Sequence, residues 1–145
     1  MKVVIDSNVL FRTLISKGEI LDLFYNNDLE IYAPLMLKEE FEKHETEIIE
    51  KTKLNISEFK KLKDSLFGRI KFMNIDIYKN SLEKAKELLG KHEKDEDFVS
   101  LALSLNCKIW TYEDLIFKIG IAISTKEISK ELKEIEDAKE RGVNQ

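Results

Sequence analysis

Cysteine and proline each occur once in this chain, histidine twice and glycine five times. A lone cysteine, Cys107, cannot form an internal disulfide, which excludes a disulfide-stapled scaffold and suits a reducing cytoplasm. With so few breakers and no Ser- or Pro-rich linker, nothing divides the chain, and the expectation is a single domain over residues 1–145 with no long disordered tail. No apolar run approaches a membrane span and the start carries no signal-peptide pattern, so a cytoplasmic protein without a membrane partner is expected. His44 and His92 sit alone in charged surroundings with no nucleophile to pair with, and neither is assigned to catalysis. Cationic excess is missing too, since the net charge is -4. Bulk electrostatics therefore do not advertise nucleic-acid binding, although divalent cations in an acidic cluster would change the potential locally.

The chain does have the means to bury a core, with 43% hydrophobic and 36% charged residues. Its most informative stretch is Val3-Val4-Ile5-Asp6-Ser7-Asn8-Val9-Leu10. The apolar run reads as a strand buried on both faces, as in a parallel sheet, and it stops at a carboxylate. Leu10, Leu14, Leu21 and Phe24 predict helix from Ser7 to about Asn26, broken at Gly18. Residues 30–33 form a second strand ending at Pro34, and helix is predicted from Pro34 to about Lys51. Asn55 opens another helix that ends near Gly68; residues 70–77 read as extended or loop, and 78–89 as helix. A charged run from Lys91 to Asp97 leads into an apolar helix to Leu105. Strands at 107–111 and 121–124 and a last helix from Thr125 complete the chain. This alternation predicts an α/β fold of three layers, α/β/α, around a short, mostly parallel central sheet.

Acidic residues fall where such a sheet can gather them. Asp6 ends strand one, and Glu39 and Glu40 lie in the first turns of the helix after strand two. Asp95 and Asp97 open the apolar helix, and Glu113 and Asp114 follow the strand that contains Trp110. Each has an ordinary reading as helix cap, dipole partner, solvated surface or turn residue. Their joint placement on one rim points instead to a hard divalent cation, which prefers oxygen ligands.

The same segments resemble the motifs of the PIN-domain family of metal-dependent nucleases, over nearly the whole chain. Val4 to Leu10 is similar to the first motif, and Pro34 to Phe41 to the second, in which a Glu before an apolar residue selects Glu40 over Glu39. Asp95 to Leu103 resembles the third motif with Asp95 as its acid and Asp97 as the fallback. Ile109 to Leu115 resembles the fourth, where Glu113 stands in the place usually held by Asp, a departure that keeps Asp114 as fallback. The resemblance implies a PIN-like fold and an endoribonuclease that hydrolyses RNA with Mg²⁺ or Mn²⁺. Asp6, Asp95 and Glu113 would hold metal, and Glu40 would bind a second ion or orient water. Asn8 and Thr111 are candidate substrate contacts, and Arg12, Lys17, Lys60, Lys61, Lys63, Arg69 and Lys71 are candidates for the nucleic-acid backbone. Many short family members are toxins of toxin–antitoxin pairs, so an antitoxin and a homodimer contact near residues 34–68 are candidate partners. The Glu113 departure motivates the alternative, a catalytically degenerate RNA- or partner-binding module. A phosphoryl-receiver-like domain ranks third, because Asp6 has no acidic neighbour.

Overall fold

Strand β1 (Lys2–Ile5) forms because Val3, Val4 and Ile5 are wholly buried and must pack on both faces. The computed structural model describes residues 1–142 of the chain. β1 lies at the centre of a five-stranded parallel sheet in the order β3-β2-β1-β4-β5. Its companions are β2 (Glu30–Pro34), β3 (Ile70–Met73), β4 (Lys108–Trp110) and β5 (Ala122–Ile123). The chain builds outward from β1 to β2 and β3, then returns to place β4 against the other side of β1. The strand order therefore reverses between β1 and β4, and open α/β sheets bind ligands beyond the carboxyl ends of the strands at such a point. Register is fixed there by Ile5 pairing with Trp110, which sets Asp6 beside Thr111.

Helices α1 (Ser7–Ser16) and α2 (Glu19–Phe24) follow β1. They are separated by Lys17 and Gly18, both at positive φ, where glycine carries no Cβ penalty. The helix expected from Pro34 to Lys51 is two helices, α3 (Leu35–Lys43) and α4 (Glu45–Thr52). The break falls at His44 without glycine or proline, and Glu45 and Glu47 then sit in the first turn of α4 beside the positive end of its dipole. α5 (Ile56–Gly68) starts on a capping box in which Asn55 and Glu58 satisfy each other's backbone N–H groups. β3 alternates buried Ile70 with exposed Lys71, as an edge strand does. The segment expected to be helical from Tyr78 begins as short 3₁₀ turns, and regular helix α6 covers only Leu82–Leu89.

Helix α7 (Glu96–Leu105) buries Phe98, Val99, Leu101 and Ala102 against the sheet, and the short α8 (Asp114–Lys118) follows β4. α9 (Thr125–Glu140) begins on a second capping box, Ser124 with Glu127. Phe41 is the hub of an aromatic cluster, with ring centroids 6.1 Å from Phe11, 6.2 Å from Phe59 and 5.1 Å from Phe67. Such pairs contribute about 0.5–1.5 kcal/mol each beyond their burial. The apolar residues of the proposed dimer region, Leu37, Phe41, Ile48, Phe59 and Leu66, belong to this intramolecular core, while Leu35 and Ile56 are exposed.

Candidate functional site

Because all strands run parallel, their carboxyl ends and the helix starts that follow them share one rim. Asp6, Glu40, Asp95, Asp97 and Glu113 line one cleft there, of about 280 Å³, together with Ser7, Asn8, Met36, Glu93, Lys94 and Phe98. Acids drawn from four separate parts of the chain thus face a common space. Glu39 and Asp114 do not line it, and Asp114 is exposed as the first residue of α8.

Asp6 is buried to 7% exposure and is held on both oxygens. Oδ1 accepts from the Val9 backbone N–H at 3.0 Å, which caps α1. Oδ2 accepts from the buried Thr111 hydroxyl, and Thr111 Oγ1 in turn accepts from the Glu113 backbone N–H at 3.0 Å. The capping role and a site role therefore coexist in one carboxylate. Burial raises the proton affinity of Asp6, the Thr111 and Val9 hydrogen bonds oppose that, and the Glu113 charge adds to it. Glu113 is also raised, first by burial and then by the charge of Asp95 and a hydrogen bond between the two carboxyl groups. Lys94 and His92 offset part of that repulsion.

Asp95 is buried at the start of α7 without a side-chain cap bond, so its carboxylate is not consumed by the helix. Asp97, the fallback, accepts from the Tyr78 hydroxyl at 2.6 Å, and burial, then that bond, raises the tyrosine's pKa. Glu40, exposed on α3, lines the cleft, and Asn8 lines it from the first turn of α1. Trp110, fully buried, donates its indole N–H to Thr125 Oγ1 at 2.9 Å and is core.

Of the basic residues considered for nucleic acid, Arg69 is structural. It donates to the carbonyls of Phe24, Asn26 and Leu29. Lys63 pairs with Glu45 and Lys71 with Glu30. Arg12 lies on the Tyr112 ring, 4.1 Å from its centroid. Sequence reasoning missed Lys94, Tyr78 and the Tyr112–Thr125 contact, since each acts through a partner distant in the chain.

Among the described residues, no three His, Cys, Asp or Glu side chains converge tightly enough to enclose a metal ion. The donor set nevertheless fits a hard cation. It offers carboxylate oxygen alone, Asp95 and Glu113 repel, and Mg²⁺ needs only one or two carboxylates because it keeps several waters.

A family model described as PIN domain matches residues 4–134. No curated protein and no solved structure matches the chain.

Proposed function

The chain belongs to the PIN-domain family, and we propose that it is an endoribonuclease dependent on Mg²⁺ or Mn²⁺. PIN domains are generally nucleases, and their fold is the α/β/α sandwich described above. The observation that carries the finer reading is the acidic cleft itself. Asp6, Asp95 and Glu113 face one space at the switch point, and burial and mutual repulsion make the charge of Asp6 and Glu113 costly to hold without a cation.

In this reading Asp6 and Asp95 would be the metal ligands, with Glu113 reaching the ion directly or through a water. A divalent cation held there supplies Lewis-acid activation and a counter-charge for the phosphodiester. Thr111 fixes the rotamer of Asp6 through one hydroxyl and steadies the Glu113 backbone through the same atom. Glu40, which lines the same cleft from α3, binds a second ion or orients the attacking water. Lys94, the only basic residue of the cleft lining, moderates the charge of Glu113 and contacts the scissile phosphate. Asn8 hydrogen-bonds the sugar–phosphate backbone from the cleft edge.

RNA as substrate and a toxin role restrained by an antitoxin protein in the cytoplasm follow from the family resemblance, as does a homodimer. Cleavage of a mixed single-stranded RNA pool with Mn²⁺, Mg²⁺ or EDTA tests the reading. Metal-dependent cutting supports it; an RNA pool left intact with Mn²⁺ sinks it. A second reading, a binding module with a degraded site, is favoured by Glu113 in the place of Asp and by the open spacing of the acids. Binding of RNA without cutting would support that module.

A further inference from the structure

A groove runs along α9 from the helix start that follows β5. Thr125, the first residue of α9, lines it with Glu19, Lys126, Ser129, Lys130 and Lys133. Thr125 Oγ1 also meets the Tyr112 hydroxyl at 2.7 Å. Tyr112 stands between Thr111 and Glu113, so one hydrogen bond joins the groove to the segment that carries two residues of the site. Arg12, exposed, lies over the ring of the same Tyr112 whose hydroxyl meets Thr125.

Lys126, Lys130 and Lys133 recur at i, i+4 and i+7, which puts them on one helix face. Glu127, Glu131 and Glu134 repeat that spacing one position on, so α9 sorts its charges into adjacent stripes. All three lysines are exposed, and among the described residues none makes an ion pair. Lys63, Lys71 and Lys139, by contrast, are each held by a carboxylate. The acidic cleft has a single basic lining residue, Lys94. A strand whose scissile phosphate sits in that cleft must therefore find cations for its flanking phosphates elsewhere.

We propose that Arg12 and the Lys126–Lys130–Lys133 stripe form the track that carries the RNA backbone away from the cleft. The proposal rests on the nuclease reading and adds the path of the substrate to it. The charge is complementary, and the path begins at the residue that anchors the Thr111–Glu113 segment.

The test measures fluorescence anisotropy of a labelled single-stranded RNA of about 20 nucleotides, long enough to exceed one cleft, with Ca²⁺ and a series of salt concentrations. Wild type is compared with a Lys126→Ala/Lys130→Ala/Lys133→Ala variant and with a Lys84→Ala/Lys86→Ala control on α6, and thermal unfolding checks that each is folded. Three lost phosphate contacts should weaken binding at least about tenfold and reduce the slope of log K against log salt by about 2, while the control binds as wild type. Equal binding by the triple variant, or equal loss in the control, overturns the track. Cleavage of the same RNA by wild type with Mn²⁺ separates the two readings. Lysine-dependent binding without cutting keeps the track and ends the nuclease reading; cutting with no lysine dependence does the reverse. If labelled polyglutamate, and not RNA, is held by the three lysines, the groove docks an acidic protein segment and the proposal fails.

Discussion

The Thr111 hydroxyl donates to Asp6 across 105 positions of sequence, because the two residues end neighbouring parallel strands. The same oxygen receives the Glu113 N–H, so one buried threonine ties together two of the acids on the cleft. Thr111→Val keeps the volume and removes both bonds. Leaving buried polar groups unpaired should cost about 1–3 kcal/mol of stability. Loss of the partner that orients a ligand should weaken Mn²⁺ binding about 10–100-fold, whereas Thr111→Ser should retain most of both. Calorimetric Mn²⁺ titration and thermal unfolding check the pair.

Glu113 faces the cleft and Asp114 does not, although either fits the sequence pattern. Glu113→Gln should therefore reduce metal affinity and cleavage by at least about tenfold, an effect of roughly 1.4 kcal/mol. Asp114→Asn should cleave as wild type does. A large loss in Asp114→Asn with a silent Glu113→Gln would reverse the assignment.

Stability should depend on pH through Asp6 and Glu113, whose folded pKa values both lie above the ordinary carboxylate range. Such groups bind protons more readily folded than unfolded. Their contribution favours folding at acid pH and is lost as pH rises through the raised values. Glu30, lowered by Lys71, and Glu127, lowered by its Ser124 hydrogen bonds, act in the opposite sense, so the signal is a difference between proteins. Relative to an Asp6→Asn/Glu113→Gln variant, metal-free wild type should lose melting temperature as pH rises above the ordinary carboxylate range and through the raised values. Mn²⁺ at neutral pH should restore it in wild type only.

Arg69 gives a prediction that separates fold from site. Its guanidinium gathers three carbonyls at the end of α2 and the following turn. Arg69→Ala should destabilise the protein by about 2–3 kcal/mol, as loss of charged hydrogen bonds does. Lysine should recover only part, lacking the fixed fork of donors. Cleavage per folded molecule should stay at the wild-type level, and a selective loss of RNA binding would return Arg69 to the substrate surface.

What could be read from the sequence follows from how local each signal is. A strand buried on both faces must be a continuous apolar run, so β1 and its terminal Asp6 were visible at once. The break of α1 from α2 was visible through Gly18, and the starts of α5 and α9 through residues able to cap. The break at His44 was not, because it has neither glycine nor proline and only the acids after it hint at a new helix start. Residues 70–77 read as extended or loop because they hold both, a four-residue edge strand and then a 3₁₀ turn. The acids could be nominated one by one, yet their convergence required the strand order. Thr111 looked like any strand-end threonine until the register set it beside Asp6. The lysine stripe of α9 looks in sequence like any solvated helix face, and it is the Tyr112–Thr125 contact that ties its start to the site segment.

In the proposed function the carboxylate of Asp6 serves metal-dependent RNA hydrolysis. Asp6→Asn tests it cleanly, since asparagine caps a helix as well as aspartate does and the fold should survive. Cleavage of single-stranded RNA with Mn²⁺ should fall at least about a hundredfold in the variant, a loss of roughly 2.7 kcal/mol of transition-state stabilisation, with the melting temperature nearly unchanged. Cleavage by a folded Asp6→Asn protein at the wild-type rate would rule out that role for Asp6.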